Sequence, residues 1–514
     1  MSWIVVGEEK GQIKLVSKTG VDGLLPKGSY LTIEKGETKF ILRVDKSYQT
    51  EPYAPSPMII DMDLSGLIQD QKCQNLILAY RVKDISNRQD GKIDFIPPQS
   101  IARRSNQEEI DLAMDVDAKG PEVFLATVHA GINQLLMDEK NEYIKTSMPI
   151  DMFYHQMLIC GKTGSGKTVA TKYLAQYFIE ELEGVVLAIN VKDVDFLKMN
   201  RPSLSKNPQV LKEWESLGTG PRGIKNYVVY YPANIDIMSY RDLDVDYFKK
   251  VTLSVHSIEP EALTGLLQGI SDVGAQNLPD IFRYWQSKVR GKDNTFNDFV
   301  SYFIDVGEDG RRFTTLNHRG DESEVPLHPA TYNNIQRTLS VANNFFDNSG
   351  ATILDESDIL IKGQMSILNV GNEGLQFGSI MLRHLLHKIV DAKSSGRSNI
   401  PVLFIIDEVH NFYNSNASQD ALGDLDTICR QGRSQKIGVI FSSQNPNDIP
   451  KGLSSVINTK IFFKSDPVTS RTHAINISSD ELENLKKGYA VGTIHELSQL
   501  RIFKFPMAYA GVFE

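Results

Sequence analysis

One eight-residue stretch decides the fold class of this 514-residue chain. It matches the pattern GxxxxGK[ST] in full and reads Gly161-Lys162-Thr163-Gly164-Ser165-Gly166-Lys167-Thr168. The apolar run Gln156–Cys160 before it predicts a buried strand, and the stretch from Thr168 to Leu182 predicts a helix with an apolar face. A strand, a glycine-rich turn and a helix in that order are the context in which this pattern binds phosphate.

The residue types in this loop suit a nucleoside triphosphate and a divalent cation. Glycines let successive backbone N–H groups point inward, and the N-terminus of the following helix adds a favourable field for phosphates. We expect Lys167 to reach the β- and γ-phosphates and the Thr168 hydroxyl to bind Mg²⁺. The sequence therefore predicts that all eight residues of the loop bind ATP.

A second signal follows a buried strand much further along the chain. The apolar residues Leu403–Ile406 run directly into Asp407 and Glu408. Two carboxylates at the carboxyl end of a buried strand are typical of a Walker B site, where Asp407 would bind Mg²⁺ and Glu408 would polarise the attacking water. A polar residue at the end of a neighbouring strand can sense the γ-phosphate, and Val439–Ser443 ends at Gln444. This pattern predicts an enzyme that hydrolyses ATP.

The pattern along the chain predicts an α/β protein of several domains. Short strands separated by turn residues predict a small barrel or sandwich at the N-terminus. Apolar runs of strand length then alternate with helices, which indicates a parallel sheet. This alternation is interrupted by a segment whose apolar residues recur at helical spacing. The predicted segments are the β-domain 1–115, the core 116–234, a helical insertion 235–350, the rest of the core 351–489, and a C-terminal β segment with a tail, 490–514.

Composition limits the classes of function. The chain has 55 Lys and Arg against 64 Asp and Glu, a net charge of −9, which argues against a surface covered in basic charge but not against a local basic channel. Its 3 cysteines form no CxxC motif, so a disulfide framework or cysteine zinc site is excluded and a reducing cytosol is favoured. Because no apolar run approaches the ~20 residues of a membrane span, we expect a cytoplasmic protein with no membrane partner.

Together these motifs resemble the HerA branch of the HerA/FtsK ATPases. The resemblance rests on the phosphate loop, the long insertion, and three further stretches: Ile405–Asn411, Arg430–Arg433 and Ser442–Pro446. It implies an N-terminal β-barrel of the HAS type, a RecA-like P-loop core and an inserted helical bundle. It also implies a homohexameric ring with ATP sites between subunits, which translocates on double-stranded DNA and works with a partner nuclease.

The resemblance also assigns roles to single residues. Lys167 would bind the phosphates, and Thr168 and Asp407 would bind the metal. Glu408 would act on the attacking water, and Gln444 would be the sensor. A ring ATPase needs an arginine supplied in trans to neutralise charge in the transition state. By resemblance that arginine is Arg433, with Arg430 as the second choice.

The chain departs from the HerA pattern after its second core strand. HerA proteins typically have Asp-Pro-His-Gly-Glu there, whereas this chain continues from Asn190 through Asp193 to Asp195. Either aspartate would have to take over any water-positioning role. This divergence and the acidic charge are similar to bacterial HerA-like ATPases that accompany an effector enzyme in anti-phage modules.

Two functions remain open at this stage. One is a DNA-translocating motor, although the most basic and aromatic stretch, Arg283–Lys292, has a spacing that favours a packed helix with a solvated face over a DNA contact. The other is an ATP-regulated ring scaffold that binds and activates a nuclease or NADase, with the N-terminal barrel and the C-terminal tail as docking surfaces.

Overall fold

The structure is a computed structural model, and the described residues form two compact units. These residues are 2–17, 23–50, 74–85, 95–114, 120–129, 131–191, 196–235, 243–267, 273–371, 374–412, 432, 434–445, 457–465, 482–495 and 501–514. The N-terminal unit comprises Met1–Ile150 and Asn476–Phe505, and the core unit comprises Asp151–Ile475 and Pro506–Glu514. The segments predicted from the sequence remain predictions, and residues 120–150 lie in the N-terminal unit.

The strands are numbered in chain order. They are β1 Trp3–Glu9, β2 Gln12–Ser17, β3 Tyr30–Lys35, β4 Thr38–Thr50, β5 Gln74–Ile85, β6 Ile101–Arg104, β7 Glu122–His129, β8 Ile132–Leu135, β9 Lys145–Ser147, β10 Gln156–Cys160, β11 Val185–Asn190, β12 Asn226–Pro232, β13 Phe248–Thr252, β14 Arg312–Leu316, β15 Glu322–Pro326, β16 Thr352–Ile353, β17 Gln364–Asn369, β18 Val402–Ile406, β19 Ile437–Ser443, β20 Thr459–Phe462, β21 Tyr489–Thr493 and β22 Arg501–Lys504.

The α-helices are numbered in the same way. They are α1 Gln107–Met114, α2 Lys167–Glu180, α3 Pro208–Ser216, α4 Leu278–Val289, α5 Phe296–Glu308, α6 Pro329–Ala342, α7 Glu356–Ile359 and α8 Leu375–Ser394. Short 3₁₀ helices span Ile150–Tyr154, Val245–Tyr247, Pro260–Leu267, Val273–Asn277, Asn343–Phe345 and Val409–Asn411. Within the described residues, no helix is both long and apolar enough to cross a membrane.

The N-terminal unit contains a closed barrel of strand order β1-β2-β5-β4-β3-β6. Alternating residues of these strands face inward and are fully buried, among them Trp3, Leu15 and Phe40. A second group of strands in this unit pairs in the order β21-β22-β7-β8, with β9 also on β7. The barrel that the resemblance implied is therefore confirmed. The predicted hairpin turn at residues 87–92 lies outside the described residues.

The core unit contains a parallel sheet of strand order β16-β13-β12-β17-β11-β18-β19-β10-β20. Its central strands β10, β11, β17, β18 and β19 are buried along their whole length, which is why their sequences are almost uninterruptedly apolar. Because every pairing in this order is parallel, the carboxyl ends of the strands lie at one edge. The predicted α/β core is confirmed.

The segment between β12 and β17 is helical, as predicted, but also contains strands. Aromatic rings form its core: Phe303 stacks on Phe313 at 4.6 Å and on Tyr332 at 5.4 Å between centroids. Strand β13 joins the core sheet, and β14 pairs with β15 as an antiparallel hairpin. The sequence did not predict these strands because their exposed positions carry Lys, Arg and Glu in short runs, which weakens the apolar alternation.

The C-terminal segment 506–514 packs onto the core unit. Lys172 Nζ of α2 donates to Gly511 O at 2.7 Å, and Trp214 Nε1 of α3 donates to Met507 O at 2.9 Å. The ring of Tyr509 meets Tyr173 edge-on at 5.8 Å. The sequence suggested this tail as a docking surface; that suggestion is corrected for residues 503–511, because these residues are buried.

Candidate functional site

The phosphate loop is fixed between the carboxyl ends of β19 and β20. Gly161 N donates to Ser443 O at 3.2 Å, and Lys162 N donates to Lys464 O at 2.8 Å. Gly164 and Gly166 have φ of 78° and 111°, a region that residues with a Cβ adopt only at a cost. The glycines of the motif are thus needed for the backbone path of the loop and not only for its contacts.

Lys167 and Thr168 start the helix that follows the loop. The side chain of Lys167 is only 6% exposed, and its Nζ donates to Gly161 O and, at 3.4 Å, to Lys162 O. The ammonium group therefore lies over the concave side of the loop. Thr168 is half-buried in the first turn of α2, where helix N-terminal N–H groups favour an anion.

The two predicted carboxylates directly follow the buried strand β18. Asp407 is 4% exposed and Glu408 is 3% exposed. Glu408 has a φ of 48°, which costs a non-glycine residue about 1–2 kcal/mol. Such a conformation persists only where surrounding contacts enforce it, and it is found preferentially at functional sites.

Gln444 joins the loop to the second carboxylate. Strand β19 lies between β18 and β10, so its end lies between Glu408 and the phosphate loop. Gln444 Nε2 donates to Glu408 Oε1 at 2.8 Å, and Gln444 Oε1 accepts from Thr163 Oγ1 at 3.2 Å. One side chain therefore contacts both halves of the predicted site, and His410 Nδ1 lies 3.7 Å from the other Glu408 oxygen.

A buried amide pair at the same edge was not predicted. Asn190 Nδ2 donates to Asn369 Oδ1 at 2.8 Å, and both residues are fully buried at the ends of β11 and β17. Since Ile189 pairs with Ile406, Asn190 lies in the register position beside Asp407. The sequence signal was available: each asparagine is the polar last residue of an otherwise mostly apolar strand.

Several candidates cannot be placed in the site. Arg430, Arg433, Asp193 and Asp195 lie outside the described residues. The basic stretch on α4 is described, and there Arg283 forms ion pairs with Asp280 and Glu261 while Phe282 and Trp285 are buried. This part of α4 is thus a packed helix with a charged outer face.

The donor atoms suit Mg²⁺, which prefers oxygen ligands and keeps several waters and phosphate oxygens in its shell. The hydroxyl of Thr168, at the start of α2, and the buried carboxylate of Asp407, directly after β18, are hard oxygen donors at the edge of the sheet that carries the phosphate loop. No group of three or more His, Cys, Asp and Glu side chains able to hold a metal by itself occurs in the part of the chain that the structure describes.

The strand order and the loop define the class of P-loop proteins in which an additional strand separates the phosphate loop from the carboxylate pair. Residues 134–373, just under half of the chain, match the family model described as the central domain of the helicase HerA. This match agrees with the similarity to the HerA/FtsK-type ATPases that the motifs indicated.

The curated proteins that the chain resembles are distant relatives. The chain is 20% identical to the DNA double-strand break repair helicase HerA of Saccharolobus solfataricus over 66% of this chain and 61% of that protein. It is 30% identical to the HerA of Pyrococcus furiosus over 20% of this chain and 21% of that protein. The matches thus span less than two thirds of the length of these relatives.

Two solved structures are distantly similar to this chain. VirB4 of Thermoanaerobacter pseudethanolicus has a TM-score of 0.48 at 12% identity, over 76% of this chain and 97% of that chain. The bacterial conjugative coupling protein TrwBΔN70 has a TM-score of 0.47 at 10% identity, over 79% of this chain and 92% of that chain. Because both TM-scores are below 0.5, we assign the fold from the strand order and not from the similarity to these structures.

Proposed function

We propose that the chain is the ATP-hydrolysing motor subunit of a HerA-type homohexamer that translocates on double-stranded DNA and works with an effector enzyme. The observation that supports hydrolysis best is the contact chain from Thr163 through Gln444 to Glu408, at 3.2 and 2.8 Å. A side chain that touches both the phosphate loop and the candidate base can couple nucleotide binding to the position of the base.

In this proposal the loop residues 161–168 hold the triphosphate of ATP. Backbone N–H groups of the loop and of the first turn of α2 would face the phosphate oxygens, and Lys167 would turn from the loop carbonyls to the β- and γ-phosphates. Mg²⁺, held by Thr168 and Asp407, would neutralise charge on the phosphates when bound. The low exposure of Lys167 and Asp407 strengthens these electrostatic interactions.

The chemical step needs a base that orients and deprotonates water. Glu408 would accept the proton of the attacking water, and its burial keeps other water away from its carboxylate. Gln444 would donate to the γ-phosphate instead of to Glu408 once ATP is bound, which frees Glu408 Oε1 for the water. In the ring, an arginine of a neighbouring subunit, Arg433 or else Arg430, would stabilise the transition state.

Three variants test this assignment in a steady-state assay of phosphate release. Lys167→Ala should abolish ATP turnover, and unchanged turnover would overturn the site. Arg433→Ala should abolish turnover while nucleotide binding and ring size by sedimentation stay as in the unchanged protein. Normal turnover in Arg433→Ala together with loss in Arg430→Ala would assign the trans arginine to Arg430.

A scaffold role is the second candidate, and the charge of the molecule favours it. The net charge is −9, and Arg283 of the most basic and aromatic stretch forms ion pairs with Asp280 and Glu261. In this candidate the ring binds a nuclease or NADase, and ATP serves assembly or sensing. A cytoplasmic location and a role in anti-phage defence belong to both candidates.

The two candidates differ in their response to DNA and to the block of hydrolysis. The motor requires salt-dependent binding of duplex DNA and a rise in ATP turnover when duplex DNA is added. The scaffold requires that a Glu408→Gln ring, which cannot hydrolyse ATP, still activates an effector that is inactive alone. Activation of this kind without DNA stimulation would reject the motor.

A further inference from the structure

His410 lies beside the candidate base but has no role in the proposed function so far. It follows β18 in the 3₁₀ helix Val409–Asn411, and its side chain is 46% exposed. Its Nδ1 is 3.7 Å from Glu408 Oε2, whereas Gln444 Nε2 donates to Glu408 Oε1. The two oxygens of Glu408 therefore face two different side chains.

The hydrogen bond from Gln444 to Glu408 cannot persist when Gln444 contacts bound ATP. The γ-phosphate is an acceptor, so a sensor glutamine must present its Nε2 donor to it, and this is the atom that now binds Glu408 Oε1. Release of Oε1 frees it for the attacking water. It also removes one hydrogen bond that fixes the carboxylate, at the moment when its orientation matters.

We propose that His410 is the positioning residue that holds Glu408 in the ATP-bound state. With Oε2 directed at the imidazole, Oε1 is directed at the water, and rotation of the carboxylate is restricted. Glu408 caps the 3₁₀ helix Val409–Asn411 with a positive φ, and His410 of that helix is two positions later, with its Nδ1 3.7 Å from Glu408 Oε2. His410 thus acts through Glu408 and need not touch ATP. This proposal rests on the proposed ATP hydrolysis.

The substitution His410→Ala tests it with little disturbance of the core, because nearly half of the side chain is exposed. We expect kcat for ATP to fall about 10- to 100-fold, the range for a misplaced catalytic group, with KM within about 2-fold of the unchanged protein. His410→Asn keeps a donor in place of Nδ1 and should recover most of the lost kcat, whereas His410→Leu should not. His256→Ala removes an exposed histidine elsewhere in the core unit and should leave kcat unchanged.

A binding measurement separates positioning from damage to the nucleotide site. In the Glu408→Gln background, a fluorescent ATP analogue should bind equally well with and without His410→Ala. Wild-type kcat in His410→Ala, no recovery in His410→Asn, or loss of analogue binding would each overturn the proposal. If Glu408→Gln does not lower ATP turnover, the proposed function fails. If Glu408→Gln lowers turnover but the His410 variants turn over ATP like the unchanged protein, only this inference fails.

Discussion

Glu109 in the N-terminal unit is a buried carboxylate surrounded by donors. It is 3% exposed and accepts from Arg103 at 2.6 and 2.9 Å, from Thr32 at 2.8 Å and from Lys39 at 3.0 Å. Burial alone would raise the pKa of Glu109, but these hydrogen bonds outweigh it and lower the pKa to about 2. The residue ties α1 to the barrel strands β3, β4 and β6.

This lowered pKa predicts a loss of stability in acid. Ionised Glu109 stabilises the folded unit above pH ~4.5, and that contribution, at most about 3 kcal/mol, is lost as the pH falls toward 2. Glu109→Gln should therefore lower the urea concentration at which half of the molecules have unfolded in this unit, and much more at pH 7 than at pH 3. Hydrogen exchange in peptides from β3 and α1 measures this midpoint. Glu108→Gln, an exposed neighbour on the same helix, should change neither midpoint. Equal losses at both pH values for Glu109→Gln would contradict the account.

Single residues of the core unit could be predicted only in part. The sequence placed Gln444 at a strand end, because parallel strands bring their last residues to one edge. It could not identify Thr163 and Glu408 as partners of Gln444, since this depends on β19 lying between β10 and β18. The positive φ of Glu408 is likewise set by its surroundings, as glutamate has no local preference for it.

At the scale of elements, the helix after the phosphate loop is held by the C-terminal segment. Lys172 is 6% exposed and donates to the carbonyl of Gly511, 339 residues away in the sequence. Arg222 also donates to Glu180 at the end of α2 and lies 4.7 Å over the ring of Tyr509. The position of α2, and with it the phosphate loop, thus depends on the last residues of the chain.

Loss of the Lys172 contact should destabilise the core unit. Lys172→Ala leaves a buried carbonyl without its charged donor, which typically costs about 1.5–3 kcal/mol. We expect a lower thermal midpoint and weaker binding of an ATP analogue. Lys225→Ala, which removes an exposed lysine of the same unit, serves as control and should alter neither property. An unchanged midpoint in Lys172→Ala would show that the C-terminal segment does not support α2.

The insertion depends on close packing of a glycine against an aromatic ring. A Cβ on Gly307 of α5 would lie 2.0 and 2.1 Å from two ring carbons of Tyr332 on α6 and 2.3 Å from its hydroxyl oxygen. Gly307→Ala should therefore push the two helices apart and cost about 1–3 kcal/mol. Gly220→Ala is the matched control, because a Cβ there meets nothing within 4 Å. Urea unfolding measures both, and equal midpoints for the two variants would show that the insertion tolerates the extra volume.

Elements were predictable where the signal is local. The strand before the phosphate loop and the helix after it follow from a short apolar run and helical periodicity, and the structure has them at Gln156–Cys160 and Lys167–Glu180. Strand β13 was missed because Lys249 and Lys250 are exposed on it, so its sequence lacks a strand pattern. The contacts between the C-terminal segment and α2 were not predicted either, because contacts between residues far apart in the chain leave no periodic pattern in the sequence.

At the scale of the whole molecule, the acidic net charge limits where nucleic acid can bind. A net charge of −9 disfavours nonspecific binding of nucleic acid over the whole surface. DNA binding by the proposed ring would therefore be confined to a local basic region, and the acidic remainder would suit a protein partner. Motor and scaffold both need an ATP-binding site, and the motor has one further requirement, that Glu408 act as the base.

The hydrolysis of ATP by Glu408→Gln tests that requirement most directly. The glutamine keeps the size of the side chain but cannot accept the proton of the attacking water, so turnover should fall by at least about 100-fold. Binding of ATP, measured by equilibrium dialysis, should remain as tight as in the unchanged protein. Turnover within about 2-fold of the unchanged protein would contradict the account, because the carboxylate between Gln444 and His410 would then not be the base.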